Sequence, residues 1–246
     1  MTARRLARLL RLQARELVRL GRRTRKRLDA DEVHDLRVLT RRLRAALWVG
    51  RFFASKNALL RARNGLRKLG RILGERRLLD VTLRDAEAYR LDAAGLQPRH
   101  RRSERAVRKN LAPLVLSSLA KELRLAACAL GSTTKRSLPE GLAQRAGALR
   151  LALARAPRSK AQLHGLRIEA KKVRYVLGCL GRQGELLKPL QDRLGRCHDL
   201  EVLQRLLGRC PRAAEDEARE RAAARRCAAR SVARALGELA RAAWRD

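Results

Sequence analysis

Two segments of the sequence repeat one pattern of histidine and basic residues, 130 positions apart. Residues 33–47 read VHDLRVLTRRLRAAL and residues 163–177 read LHGLRIEAKKVRYVL. The matching places hold His, Leu, Arg, a basic pair, Arg and Leu. Imidazole and guanidinium groups donate hydrogen bonds to phosphate oxygens, and one guanidinium binds two oxygens at once. The chemistry that these residue types suggest is therefore recognition of a phosphorylated anion.

Each copy of the pattern forms a cationic stripe along one face of a predicted helix, because a helix turns about 100° per residue. Leucines and valines lie on the opposite face, and no acid on either helix neutralises the stripe. A charged face is usually only solvated, but recurrence in both copies, each with one of four histidines, favours a binding role. The first stripe consists of His34, Arg37, Arg41 and Arg44, and the second stripe consists of His164, Arg167, Lys171 and Arg174.

The helix that follows each stripe carries further basic residues beside glycines. Arg67 and Arg71 share a face with Gly70 and Gly74, where the absence of a side chain lets backbone or ligand approach closely. In the second half the same face holds Lys188, Gln191 and Gly195. Helix packing at the glycines and ligand binding both remain open as explanations. Asp35 and Asp199 are expected to orient neighbouring Arg or His side chains rather than to bind a ligand.

The composition describes a folded protein that seeks phosphate. The 246 residues include 60 Lys and Arg against 24 Asp and Glu, a formal net charge of +36, and 50 of the cations are Arg. Charge on this scale repels itself and predicts a polyanionic partner. Hydrophobic residues make up 46%, too many for a disordered basic tail. Aromatic residues make up 2%, which weighs against binding single strands by stacking bases.

Other classes of protein are disfavoured. The longest apolar stretches are too short to span a bilayer, and the N-terminus lacks the apolar region of a signal peptide. The five cysteines are an odd number without a CxxC pair, which is typical of reduced thiols and argues against zinc. We therefore expect a cytoplasmic protein with no membrane association, no metal and no cofactor.

Long Leu, Ala and Arg segments with helical periodicity predict an all-α protein. Asp31 and Ser159 are the predicted N-caps, and Pro113 is predicted to kink or end its helix. A loop at 131–134 and Pro139 separate two halves, so we expect one domain over 1–246, built of half-repeats at about 1–131 and 138–246. The predicted helices lie near 3–28, 31–54, 57–75, 77–93, 99–131, 140–155, 159–181, 184–196, 198–209 and 212–244.

The repeated motif His-x-x-Arg-x-x-x-basic-basic-x-Arg resembles the signature of the CHAD domain, the conserved histidine α-helical domain. Residues 34–44 match its first signature and residues 164–175 its second, while residues 190–199 match a later one. The resemblance covers nearly the whole chain. One position departs from the family pattern, because Arg77 is followed by Leu78 where the family tends to carry Arg-Asp.

The resemblance implies two four-helix-like bundles related by a pseudo-twofold axis, flanking a basic central groove or pore. It also implies binding of inorganic polyphosphate and association with polyphosphate granules. We expect the two stripes to face each other across the groove and to hold the polyphosphate together. The expected polyphosphate-binding residues are His34, Arg37, Arg41, Arg42, Arg44, Arg67, Arg71, Arg77, His164, Arg167, Lys171, Lys172, Arg174, Lys188 and His198.

Two alternatives compete with this interpretation. One is a nonspecific or regulatory nucleic-acid-binding protein, since a protein of charge +36 binds DNA or RNA at low salt. The sequence lacks helix-turn-helix, zinc-finger and RNP signatures, so we expect nucleic acid only as a nonspecific competitor. The other is an enzyme, because His34-Asp35 and His198-Asp199 resemble the pairs of metal-dependent phosphohydrolases. Dense positive charge repels a cation, and no nucleophile with a partnered base is recognisable, so we expect no catalysis.

Overall fold

The computed structural model describes residues 2–131, 138–154 and 159–243, and within these ranges it contains helices and no strand. Two 3₁₀ turns, at Ala94–Leu96 and Gly184–Leu187, each lie directly before an α-helix. The prediction of an all-α fold is confirmed, while the pseudo-twofold relation stays a prediction. The described α-helices are α1 (Ala3–Arg27), α2 (Ala30–Gly50), α3 (Lys56–Ala88), α4 (Gln97–Asn110), α5 (Pro113–Gly131), α6 (Leu138–Ala154), α7 (Lys160–Cys179), α8 (Lys188–Leu207) and α9 (Pro211–Ala243).

Two pairs of predicted helices are continuous in the structure. Helix α3 runs without a break past Gly74, and α8 runs past Gly195. A glycine costs a helix only about 1 kcal/mol, which tertiary packing outweighs. In contrast, the predicted helix 99–131 is divided, with α5 beginning at Pro113. Pro113 therefore marks a helix boundary and does not kink a continuous helix.

The predicted separation of the halves falls partly outside the described residues. Of the loop expected at 131–134, Gly131 ends α5 and positions 132–134 are not among the described residues. Pro139 lies in the first turn of α6 and does not end a helix. Proline is tolerated there because the backbone N–H groups of the first turn have no partner within the helix.

One of the two predicted N-caps is wrong and the other is confirmed. Helix α2 is capped by Asp29, whose carboxylate accepts hydrogen bonds from the N–H groups of Asp31 (2.7 Å) and Glu32 (3.3 Å). Asp29 has the extended backbone that an N-cap requires, whereas Asp31 is already helical. Ser159 caps α7 in a reciprocal capping box with Gln162, at 3.2 and 3.0 Å.

The chain divides into two compact units. The first comprises Met1–Asp80 and Ala94–Ser137, and the second comprises Val81–Ala93 and Leu138–Asp246. The last turns of α3 thus belong to the second unit, so the units differ from the half-repeats expected from the sequence by the segment 81–93. The half-repeats are a statement about sequence duplication and stay a prediction.

In the first unit, α1 packs on α2 and α5 through fully buried leucines. Leu6, Leu10 and Leu17 supply the buried face of α1. Leu36 and Leu43, which the sequence places opposite the first stripe, have no exposed surface. Burial of these leucines fixes the rotation of α2 and directs the first stripe away from the core.

In the second unit, the end of α3 is anchored to α8 and α9. Ala86 packs in a cluster with Leu200, Leu203, Cys210 and Ala213. The Asp85 side chain is only 4% exposed and forms an ion pair with Arg196 of α8. Tyr89, just beyond α3, donates a hydrogen bond from its hydroxyl to Asp216 Oδ2 of α9 at 2.5 Å. These contacts account for the assignment of residues 81–93 to this unit.

A buried arginine joins three parts of the first unit. Arg76 of α3 is 5% exposed. Its guanidinium lies 2.9 Å from Asp80 Oδ1 and donates to Glu104 Oε1 of α4 at 2.8 Å and to the Leu28 carbonyl at 3.2 Å. His100 Nε2 lies 3.1 Å from the same Asp80 oxygen. The network ties α3 to α4 and to the turn between α1 and α2.

Replacing Arg76 with leucine is expected to lower the free energy of unfolding by about 3 kcal/mol, because it leaves the Asp80 carboxylate buried without its guanidinium. Urea denaturation measures the loss. Arg101→Leu, at an exposed position of α4, is the control and should change stability by less than about 0.5 kcal/mol. The double variant Arg76→Leu/Asp80→Leu should recover part of the loss, and a double variant as unstable as the single one would contradict the electrostatic explanation.

Candidate anion-binding site

Glycines of α3 lie behind two arginines of the first stripe. A Cβ atom added at Gly74 would lie 3.5 Å from Arg37 Nη2, and one added at Gly70 would lie 3.8 Å from Arg44 Nη1. The two guanidinium groups of α2 therefore lie over the glycines of α3, at distances where an added methyl group would make ordinary van der Waals contact. The glycines thus bring the arginines of the first stripe next to α3, although this packing does not require glycine.

Like charges surround the first stripe. Arg63, Arg67 and Arg77 of α3 add their charges to those of α2. Burial of its guanidinium, followed by the charges of Arg41, Arg67 and Arg63, lowers the pKa of Arg44. Burial, followed by the charge of Arg77, also lowers the pKa of His34, although the Asp35 carboxylate partly opposes this. The cluster is a region of mutual repulsion that a bound anion would relieve.

The remaining candidates of the first unit differ in their surroundings. Arg77 donates a hydrogen bond from Nη1 to the Ala30 carbonyl at 3.3 Å, so its guanidinium is held at the start of α2 despite the departure at Leu78. Arg67 is exposed and contributes to the charge around Arg44. Arg42 and Arg71 are exposed.

The second unit brings two of the predicted histidines together. The rings of His164 on α7 and His198 on α8 are 5.4 Å apart between centroids, with their planes inclined at 43°. Burial lowers the pKa of His198 to about 4, and the charges of Arg167, His164, Lys171 and Arg205 add to this effect in that order. His198 is therefore a neutral group beside the cations of the second stripe at neutral pH.

Arg174, the last member of the second stripe, is bound to a carboxylate. Its Nη2 atom lies 2.9 Å from both oxygens of Glu185, and its Nη1 atom donates to Gln191 Oε1 at 3.1 Å. The Glu185 side chain is 71% exposed. The spacing within the helix does not reveal this carboxylate, because Glu185 lies in the 3₁₀ turn that precedes α8. Arg174 thus has an anionic partner within the protein.

A glycine makes this contact possible. A Cβ atom added at Gly184 would lie 2.5 Å from the Arg174 carbonyl oxygen, so only glycine allows the turn to approach α7 this closely. Gln191 is buried and donates from Nε2 to the Ala170 carbonyl at 3.0 Å. Its amide is a structural link between α7 and α8. Nothing lies within 4 Å of a Cβ added at Gly195, so that part of α8 is open.

The other lysines and acids predicted near the second stripe are placed as follows. Lys188 is exposed at the start of α8, and Lys172 is exposed and forms an ion pair with Glu169 at 2.5 Å. Burial, followed by the neighbouring Asp85, raises the pKa of Asp199, while the charges of Arg167, Lys171 and Arg196 oppose the change.

Sequence reasoning missed Arg205, although its position seven residues after His198 places both on one helix face.

In the part of the chain that the structure describes, no group of three or more His, Cys, Asp and Glu side chains is placed to hold a metal ion. None of the described helices combines the length and the apolar character needed to cross a bilayer.

Comparison with protein families matches residues 8–208, most of the chain, to the CHAD domain. The chain belongs to the CHAD family. Its fold is similar to the CHAD domain from the plant Ricinus communis, with 24% identity, a TM-score of 0.61, and coverage of 95% of this chain and 91% of that chain. It is also similar to PptA from Streptomyces chartreusis, with 19% identity, a TM-score of 0.56, and coverage of 100% and 99%. No curated protein matches the chain.

The stability of this CHAD domain should depend on the protonation of His198. Because its pKa is about 4 in the folded protein and 6.5 in its ordinary environment, the unfolded state binds more protons between these values. Neutral His198 therefore contributes stability that is fully present above about pH 6.5 and is lost as the pH falls toward 4. His198→Gln cannot titrate and should lose less stability over this range in urea denaturation. An equal loss in both proteins would contradict the prediction.

Proposed function

We propose that the protein binds inorganic polyphosphate through its two stripes. Membership of the CHAD family supports a polyphosphate-associated role. The observation that carries the proposal is that each unit gathers cations from two helices. Burial first, and then the charges of these neighbours, lower the pKa of Arg44 in one unit and of His198 in the other. A ligand with many closely spaced negative charges would relieve the repulsion in both places.

Polyphosphate would be held by oxygen contacts alone. The guanidinium groups of Arg37 and Arg44, which lie over the glycines of α3, can each bind two oxygens. Neutral His34 and His198 donate one hydrogen bond each, and a neighbouring polyanion raises their pKa and draws in protons. Arg42, Arg67, Arg71, Lys172 and Lys188 would extend the contacts along the ligand.

The proposal includes two finer points. A single polyphosphate chain held by both stripes, in the groove that the family resemblance implies, would bind more tightly once it is long enough to reach both. Titration with chains of increasing length tests this, and an affinity per chain independent of length would contradict it. Attachment of the protein to polyphosphate granules is the second point, and co-sedimentation with granules tests it.

We propose binding without catalysis. The pairs His34–Asp35 and His198–Asp199 lie among arginines and lysines, whose charges repel a divalent cation. Metal-stimulated release of phosphate from polyphosphate, lost in His34→Ala, would instead show an enzyme.

Titration with long-chain polyphosphate at physiological salt, with and without excess duplex DNA, tests the proposed function. Binding that persists in the presence of the DNA is the expected result. Binding that disappears would favour the alternative of a basic protein that binds nucleic acid, because counterion release then accounts for all of the affinity.

A charge reversal in the first stripe should weaken polyphosphate binding more than the same change elsewhere. Arg41→Glu places a carboxylate among the cations of α2 and α3 and should raise the dissociation constant about tenfold. Arg230→Glu, at an exposed position of α9, makes the same change in net charge and serves as the matched control. Equal affinities in the two variants, measured by the same titration, would show that the first stripe is not the binding site.

Glu185 should compete with the ligand for Arg174. An exposed ion pair contributes only about 0–1 kcal/mol, so a phosphate group can displace the carboxylate. Glu185→Gln should therefore lower the dissociation constant for polyphosphate about two- to fivefold. Glu215 is an exposed acid of α9, and the control Glu215→Gln should lower the dissociation constant by less. In an Arg174→Gln background, Glu185→Gln should have no effect. Weaker binding by Glu185→Gln would mean that Glu185 positions Arg174 instead of competing.

A further inference from the structure

Helix α1 carries a high density of positive charge, although no residue of either stripe lies on it. Its 25 residues include eleven Arg and Lys and a single carboxylate, Glu16. Helix α9 is longer, with 33 residues, but carries eight Arg against five carboxylates. The difference is one of local balance, because α9 neutralises much of its own charge and α1 does not.

Five arginines of α1 form a line on its solvent side, here named the outer face. Their spacing of four, three, four and seven residues keeps them within about 60° of one another around the helix, over a length of about 27 Å. The buried leucines Leu6, Leu10 and Leu17 lie on the opposite side and fix this orientation. All five are exposed: Arg4, Arg8, Arg11, Arg15 and Arg22.

The carboxylates near α1 pair with arginines outside the outer face, so they do not neutralise its charge. Glu16 forms an ion pair with Arg19, which donates to its two oxygens at 2.8 and 2.6 Å. Arg23 and Arg27 pair with Glu32 of α2. Among the residues that the structure describes, the ion pairs of α1 are these, and none includes an arginine of the outer face. Arg11 contacts the thiol of Cys128, at 3.8 Å.

The residues of the outer face and their arrangement favour duplex nucleic acid over other polyanions. The outer face lies on a single helix, and its five arginines follow one another along the helix axis. Its affinity must come from counterion release, which is larger per phosphate contact for duplex DNA than for single strands. The helix has no aromatic side chain on which bases could stack. Arginine contacts to phosphates fix position and carry no base sequence.

We infer that the outer face of α1 is a docking surface for duplex nucleic acid, which it holds by the phosphate backbone without regard to sequence. The inference is independent of the proposed function, since no residue of either stripe takes part. It also explains how duplex DNA and polyphosphate would bind together, because each has its own surface on the protein.

The experiment measures duplex binding as a function of salt. The probe is a 30-base-pair duplex DNA of arbitrary sequence, and the variant replaces Arg4, Arg8, Arg15 and Arg22 with Gln. Loss of up to four phosphate contacts should reduce the slope of log K against log salt by up to about 3.6 and weaken binding at least tenfold at about 0.1 M salt. The pair Arg8→Gln/Arg15→Gln should give about half of the change in slope. Glutamine has nearly the helix propensity of arginine, so circular dichroism should be unchanged.

The control removes the same charge from another exposed helix face. Arg212, Arg226, Arg230 and Arg234 of α9 become Gln, and the slope should change by less than half as much. Equal changes in the two variants would overturn the inference, because duplex binding would then reflect the total charge.

Titration of both variants with polyphosphate separates this inference from the proposed function. The α1 and α9 variants should bind polyphosphate equally. A selective loss of polyphosphate binding in the α1 variant, with duplex binding intact, would assign the outer face to polyphosphate and overturn the inference. Failure of the wild-type protein to bind polyphosphate would refute the proposed function and leave the duplex result standing.

Discussion

Repulsion between guanidinium groups is the constraint on which the rest of this structure depends. Several carboxylates hold cations between helices: Asp80 and Glu104 pair with buried Arg76, and Asp85 pairs with partly exposed Arg196. Buried Glu217 likewise accepts a hydrogen bond from exposed Lys160 at 3.2 Å. Acids used in this way hold helices together and are not available to neutralise the outer face of α1.

The two stripes share a sequence pattern but are supported differently. In the first unit, two guanidinium groups lie over Gly70 and Gly74 of α3, and burial followed by the charges of neighbouring arginines lowers the pKa of Arg44. In the second unit, an amide and a carboxylate hold Arg174, and two imidazole rings meet beside the remaining cations. The two copies of the sequence pattern therefore present charged faces on different supporting contacts.

Periodicity predicted the helical class and the buried leucines, such as Leu36 and Leu43, because each helix must bury one face whatever its neighbours are. Local signals were less decisive at helix ends, where Asp29 and Asp31 compete for one cap and glycines at 74 and 195 mimic breaks. Glu185 and Asp85 could not be assigned to Arg174 and Arg196 from the sequence, because those contacts join separate elements and leave no spacing pattern. The sequence therefore predicted which cations share a helix face. It did not predict which of those cations already form ion pairs or hydrogen bonds within the protein.

The membership of residues 81–93 in the second unit determines how such a chain can be divided. The sequence repeat suggests a cut near residues 131–138, but a first half isolated there would retain Asp85, Ala86 and Tyr89 without their partners on α8 and α9. The isolated second half would lack the segment that completes its hydrophobic cluster. A single cut near residues 131–138 therefore leaves neither compact unit whole, because the end of α3 belongs with α8 and α9.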